Sequence, residues 1–501
     1  MTESGKGGLG AVAIRGSVLN SAQWLFNKVL TAGAMLLIAW FLTPDEYGTG
    51  TQALAISAFV FVLPVMTVGD VLIAHPRQQR ALAGSAQALA WRLAVITSVL
   101  TLAAIPLALW LYPSYPAAWL GGLLAALAVR PLLDARLMLP MTSLRLGMAY
   151  PRIAVVEGVV QAGATLASIA VAALGGRSAA LVAPQIAGTM ARCEWYRRLS
   201  PAGQVVPAQP SRIGLLLHHY WRGASAQYLH NILVGLEVLV LGMVCGETET
   251  GLFGLAFTMA IQANGVIAYQ LGQILQPIFG HLQDDPVRQV AGFLKAQRVL
   301  SAVCIPICCV QAILAEPLFR LAFSERWQPA IPVFQVVSLM QAFYFATGPS
   351  MACLRAQRRF GTFLVWQAVQ CVVSVPLYWI GARQAGAVGV ALAAGAVWAL
   401  SSPVVVWLCT LPAGGGRTLE SAAIFARPWV VAVPVFGLAL LGVQALADRG
   451  WVADLAALVV LGPAATITAI WLMRFLHPDI RTTLDGLLRG VMQRIRPRPT
   501  A

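Results

Sequence analysis

Residues 88–111 read ALAWRLAVITSVLTLAAIPLALWL. A single charge, Arg92, stands near the start of the run, and the residues after it are apolar, small or hydroxyl-bearing. A helix crosses the hydrocarbon of a bilayer with about 20 predominantly apolar residues, because it satisfies its backbone hydrogen bonds internally. The stretch therefore predicts a membrane-spanning helix. Comparable segments recur at residues 17–42, 48–71, 117–139, 153–174, 178–196, 223–245, 251–275, 297–315, 330–353, 361–381, 386–409, 427–446 and 454–475. Of all 501 residues, 58% are hydrophobic and 11% charged, against about a quarter charged in soluble proteins. A soluble chain of this length splits into domains that each need a polar skin, and too few charges are present to make one. An ordinary soluble enzyme, a disordered chain and a disulfide scaffold are excluded by the same reasoning.

The formal net charge is +15, which in a soluble protein would point to nucleic acid. Here the basic residues fall in short clusters between apolar runs, without the interleaved aromatics of a nucleic-acid groove, so no nucleic-acid partner is expected. If the N-terminus is cytoplasmic, that side collects most of the cations: Lys6 and Arg15; Arg77, Arg80 and Arg92; Arg136, Arg145 and Arg152; Arg192, Arg197, Arg198, Arg212 and Arg222; Arg288, Lys295 and Arg298; Arg355, Arg358 and Arg359; Arg417 and Arg427; and the tail from Arg474 onward. The other side holds Arg177, Arg320, Arg326, Arg383 and Arg449. Both termini are therefore expected in the cytoplasm, with an even number of spans.

Eight cysteines lie inside or at the ends of apolar segments, where Cys behaves as a small hydrophobe. Cys304, Cys308 and Cys309 share a helix face, but no His or acid joins them at ligand spacing, so no metal site is expected. No Walker loop is present. Gly414-Gly415-Gly416 reads as a loop, and neither ATP nor any other cofactor is expected.

Weak similarities recur at nearly one spacing. Glu46-Tyr47-Gly48-Thr49-Gly50 precedes the second span as Leu252-Phe253-Gly254-Leu255-Ala256 enters the eighth, and Leu144-Arg145 matches Leu354-Arg355. Six spans are an even number, so the repeat is parallel. The expected architecture is an all-α integral membrane protein of about fourteen helices: a six-helix lobe over residues 15–196, a cytoplasmic linker with an interfacial amphipathic helix at 197–222, a second six-helix lobe at 223–410, two further helices at 423–476 and a basic tail at 477–501. A central cavity is expected between the lobes. The amphipathic piece Ile213 to Arg222 and the basic tail suit a membrane-lipid surface.

A charge at the centre of a span costs about 2.5–3.5 kcal/mol on insertion scales, so each such residue needs a reason. Lys28 lies about 16 Å into the first span at 1.5 Å per residue, on a face with Trp24, Thr31 and Met35. Gln227, His230, Val234 and Glu237 share a face of the seventh span, bordered by Asn231. Two readings stand for Lys28 and Glu237: a cleft-lining pair, in which Lys28 holds an anionic group while Glu237, with His230 as a possible relay, exchanges a proton; or a structural ion pair. Arg130 and Asp134, four apart in the fourth span, suit a mutual pair or the cavity, and Asp70 suits a helix cap or the cavity. Gln262, Asn264 and Gln270 in the eighth span suit hydroxyl-rich substrates or contacts between helices.

The stretch Leu42-Thr43-Pro44-Asp45-Glu46-Tyr47-Gly48, the segment ending Thr250-Gly251-Leu252-Phe253-Gly254, Glu325-Arg326-Trp327-Gln328-Pro329-Ala330 and Leu354-Arg355-Ala356-Gln357-Arg358-Arg359 together resemble the Wzx-type polysaccharide exporters. That group belongs to the MOP flippase superfamily, with the MATE transporters and lipid II flippases. The resemblance implies two lobes around a central cavity and translocation of undecaprenyl-diphosphate-linked oligosaccharides across the bacterial inner membrane; two parallel lobes suit alternating access, and coupling to an ion gradient is expected through Glu237. Lys28 stands where relatives often carry Arg, which implies a phosphate contact, and Glu237 where many carry Asp. A polymerase and other polysaccharide assembly proteins are the partners the resemblance implies. The alternatives are a MATE-type cation antiporter, which would favour acids over Lys28, and a membrane glycan polymerase, against which the lack of a large external loop counts.

Overall fold

The computed structural model describes residues 27, 30–61, 63, 65–74, 79–147, 149–200, 209–345, 347–414, 417–446, 449–475 and 481. Every regular element among them is a helix, in agreement with the all-α reading. Eight helices are long and apolar enough to cross a membrane, and others are shorter or broken. This is a multi-pass membrane protein. The chain divides into two compact units, Met1–Gly254 and Leu255–Ala501.

The first unit contains α1 (Leu30–Phe41), α2 (Pro44–Val60), α3 (Thr67–Ala74), α4 (Gln79–Leu111), α5 (Ala117–Leu127), α6 (Arg130–Leu146), α7 (Tyr150–Ala173), α8 (Ala179–Leu199), α9 (Pro210–Cys245) and the first turns of α10 (Glu247–His281). The opening stretch of sequence forms most of α4, and its two faces explain its composition. Ala86, Ala90, Ala94, Thr97 and Thr101 are buried, while Val99, Leu102, Leu107 and Trp110 are exposed. Small residues let backbones approach where lipid supplies no hydrophobic drive between helices, and the large apolar side chains face outward. Residues 213–222 continue into α9 as its first turns, and Leu216 and Tyr220 bury into an apolar cluster with Val68, Leu72, Leu89 and Met138.

α7 and α8 are joined by an ion pair in a polar cluster. Arg192 Nε donates to Glu157 at 2.9 Å and Tyr196 OH donates to the other carboxylate oxygen at 2.8 Å. Tyr196 is fully buried. A hydrogen bond to a charged group contributes about 1.5–3 kcal/mol, so Tyr196→Phe should lower stability by that amount. A melting temperature in detergent equal to wild type would exclude this role.

α2 begins with a capping box in which Thr43 Oγ1 accepts from Glu46 N and Glu46 accepts from Thr43 N, with Pro44 in the first turn. α2 then crosses the start of α10 backbone to backbone. A Cβ on Gly48 would lie 1.9 Å from Glu247 O, and one on Gly251 would lie 1.9 Å from Pro44 O. Around this crossing Thr248 donates to Asp45, Thr49 donates to Glu247 at 2.9 Å, and Tyr115 OH donates to Thr250 at 2.8 Å. The contacts are reciprocal, with Gly48 against Glu247 and Gly251 against Pro44.

Glu247 lies in the corner ahead of the expected eighth span. Burial raises its carboxyl above the ordinary 4.5, with a lowering from the Thr49 hydrogen bond and a further rise from Asp45. Glu249, and Glu46 with its partner Arg177 at 3.5 Å, are the other charged groups of these corners. Between 4.5 and its raised value, folded Glu247 holds a proton that the unfolded chain has released, so this contribution to stability is present at low pH and is lost as pH rises through the folded value. Glu247→Gln should flatten that segment of the melting profile, and an unchanged slope would assign it to the other acids.

The second unit holds the rest of α10 with α11 (Pro286–Ile313), α12 (Ala315–Ala322), α13 (Ala330–Tyr344), α14 (Thr347–Ala356), α15 (Phe360–Thr410), α16 (Thr418–Leu446), α17 (Trp451–Ala456) and α18 (Gly462–Met473). Its core packs Cys304, Ile305, Cys308 and Cys309 against Phe345, Ala432, Phe436, Ala469 and Met473. α15 is two helices joined at Ala385 and Gly386, where Gly386 has φ of 55°. Either side of that joint the backbones of Gly381 and Gly389 touch, so that a Cβ on Gly389 would lie 1.9 Å from Gly381 O.

Candidate functional site

In the first unit the expected second span is interrupted and the fourth is kinked, and both places border one cavity. In the fourth span α5 ends at Leu127 and α6 begins at Arg130. Pro131 supplies the cause: it has no N–H to donate to the Leu127 carbonyl, and its ring disfavours a continuous helix. In the second span α2 stops at Phe61, whose ψ of 54° leaves the helical region, and α3 starts only at Thr67. Non-helical backbone at membrane depth is tolerated where protein buries it or where it lines a cavity. Interrupted helices are also where transporters build polar sites.

The cavity has a volume of about 220 Å3. Its polar lining is Ser57 of α2, Thr97 of α4, Arg130 and Asp134 of α6 and Asn231 of α9, and the rest is apolar, with Phe61 and Met66 among it. Arg130 lies thirteen residues beyond the start of α5, about 20 Å at 1.5 Å per residue, toward the cytoplasmic end of the expected fourth span. The guanidinium charges acting on Asp134 are those of Arg130 and Arg192. Thr97 donates back to Leu93 O at 2.8 Å. The space admits several waters or an anionic group of phosphate size.

The structure thus brings together Arg130, Asp134 and Asn231 from the residues singled out by sequence. Asp70 is elsewhere, with its carboxylate 3.7 Å from Arg145. Glu237 is buried on α9, His230 is half-buried one turn beyond Gln227, and Gln262 is half-buried on α10 in the second unit. Trp24 and Lys28 lie outside the described residues, as do the side chains of Asn264 and Gln270. Ser57 and Thr97 were missed by the sequence reading, since isolated small hydroxyls are frequent in spanning helices. Pro131 is the signal that could have located the site.

A sequence family described as "Polysaccharide biosynthesis protein" matches residues 37–332, more than half of the chain and inclusive of every cavity residue. The chain belongs to the polysaccharide biosynthesis protein family. The resemblance carried by residues 42–48 and 250–254 is borne out by this membership. This family member is similar to the lipopolysaccharide biosynthesis protein WzxC of Escherichia coli (strain K12), at 26% identity over 157 residues, 31% of this chain and 32% of that protein. It is also similar to a Klebsiella pneumoniae protein described as "Uncharacterized membrane protein in cps region", at 22% identity over 254 residues, 50% of this chain and 51% of that one. The match therefore spans about half or less of these relatives. Among solved structures, the lipid II flippase MurJ in an inward closed conformation aligns with a TM-score of 0.72 over 91% of this chain and 99% of its own, at 12% identity. That likeness shows a shared fold.

Proposed function

We propose that this polysaccharide biosynthesis family member flips polyprenyl-diphosphate-linked oligosaccharide units across the bacterial inner membrane by alternating access, without enzymatic chemistry of its own. The observation that carries the reading is a cation, Arg130, at a proline kink within the fourth span, beside Asn231 and Asp134 in one cavity. An Arg within a span is costly unless it has an anionic partner or a functional one, and its planar fork suits a phosphate oxygen pair. The diphosphate engages Arg130 and Lys28, the saccharide passes Trp24, Asn231, Gln262, Asn264 and Gln270, and the polyprenyl tail stays in lipid. Glu237, with His230 as relay, carries the coupling proton; each charge that crosses gains about 2.3 kcal/mol per 100 mV. Both termini are cytoplasmic in this scheme.

The experiment is the sidedness of lipid-linked oligosaccharide in a deletion strain. Complete units should accumulate in the cytoplasmic leaflet and be cleared by wild type, while Lys28→Ala leaves them there. Units that reach the outer face but stay unpolymerised would move the assignment to a polymerase, and an unchanged pool accompanied by sensitivity to cationic dyes would move it to an antiporter. Glu237→Gln should stop export; normal export by that variant, insensitive to a collapsed proton gradient, would remove the proton role.

A further inference from the structure

Cys353 in the last turns of α14 and Cys409 at the end of α15 are both fully buried, and their thiols share a hydrogen bond. Cys409 Sγ also donates to Ser350 O at 3.6 Å, which seats it against the final turns of α14. Gln357 closes over both residues: its Nε2 donates to Cys353 Sγ at 3.3 Å and to Cys409 O at 2.9 Å. Beside it Arg359 Nη1 donates to Leu408 O at 2.6 Å. In the sequence these cysteines are two small hydrophobes in separate spans; only the packing of α14 on α15 makes them a dithiol.

A buried thiol that stands alone is inert, because neither base nor oxidant reaches it. Cys193, whose Sγ donates to Leu133 O at 3.2 Å, is of that kind. The pair differs in three respects. Arg355, Arg358 and Arg359 follow Cys353 at once, so the pair sits near the membrane surface, with the Arg359 charge acting on Cys409. The turn over it is strained, since Arg358 holds φ of 56°, where an L side chain crowds the backbone. Each sulfur, moreover, has the other within reach, so an oxidised product of one can be captured by its neighbour.

We infer that Cys353 and Cys409 form a redox-modification site that closes to an intramolecular disulfide, with a peroxide as the oxidant. Burial selects the oxidant. Hydrogen peroxide is small and uncharged, so a local opening of residues 357–359 admits it, whereas a bulky charged disulfide such as that of glutathione is held out. The sulfur of Cys353, faced by the Gln357 amide donor, attacks one peroxide oxygen. The S–O bond forms, the O–O bond breaks, and the thiol proton leaves with the other oxygen as water, giving a sulfenic acid. The sulfur of Cys409 then attacks the sulfenyl sulfur; the S–S bond forms, the S–O bond breaks, and the Cys409 proton leaves with the hydroxyl as a second water. Two thiols lose two electrons and one peroxide gains them. The product ties the end of α14 to the end of α15. The inference stands on the second unit and is independent of the flippase reading.

The test is peptide mass spectrometry of the full chain in membranes, treated with hydrogen peroxide and then alkylated. Wild type should yield the Cys353 and Cys409 peptides joined, lighter by two hydrogens than the separate peptides together, and dithiothreitol should release them. Cys193 should remain reduced at the same dose. Cys353→Ser and Cys409→Ser should each lose the joined product, and Cys409→Ser should leave at Cys353 a sulfenic acid that dimedone captures. Absence of the joined peptides from wild type, at a dose that oxidises the exposed cysteine of Arg383→Cys, would overturn the inference without recourse to a variant of the pair. Oxidation of Cys193 to the same extent as the pair would overturn it as well, by showing general damage.

Discussion

Arg130→Met is expected to lower the yield of folded protein and to abolish export, and the double variant Arg130→Met, Asp134→Leu to recover the fold without recovering export. Asp134 is acted on by Arg130 and Arg192, and Arg192 is already engaged by Glu157 and close to Tyr196. Removing Arg130 leaves the half-buried Asp134 carboxylate with one shared cation. Deleting one member of a buried, hydrogen-bonded pair costs about 3–5 kcal/mol, whereas replacing both by apolar residues is often neutral. Because these two side chains are half-buried beside a cavity, a loss below that range is expected. Monodisperse yield and melting temperature report the fold, and export in the deletion strain reports the function. Full export by the folded double variant would reduce Arg130 and Asp134 to a structural pair.

Gly251→Ala and Gly48→Ala should be among the most damaging single-methyl additions in the chain. Each would place a Cβ 1.9 Å from a backbone carbonyl oxygen of the opposing segment, where no side chain can swing aside. Overpacking costs about 1–3 kcal/mol when side chains can adjust, and here α2 and α10 themselves must separate, so a loss above that range is expected. The separation would also break the bonds from Thr49 to Glu247 and from Thr248 to Asp45. Gly122→Ala and Gly437→Ala are the controls, since nothing lies within 4 Å of the added methyl at either place. Equal melting temperatures for all four would show that the crossing is loose.

The class of fold was legible in residues 88–111 because a bilayer accepts so few backbone solutions that a long apolar run admits one reading. Continuity was not. Residues 117–139 have the composition of a single span, yet Pro131 divides them, because composition averages over a window while a missing N–H acts at one carbonyl. The same averaging hid the interruption after Phe61. Asn231, Arg130 and Asp134 were visible as costly residues one by one, but their meeting depends on how α6 and α9 pack, which no local pattern encodes. The close approach of Gly48 and Gly251 was hidden for a related reason: glycines in apolar segments have many equivalent partners in the sequence, and which backbones touch is decided by packing.

The joint at Ala385 and Gly386 bears on how the chain is made. Its two arms are linked by so little backbone that they are expected to enter lipid together as one helical hairpin. Arg383, 5.1 Å from the Trp379 ring, would then lead at its tip. A reporter protein spliced into that tip would jam the insertion rather than report on it, so the side of the membrane it reaches is best read by labelling a cysteine placed at Arg383.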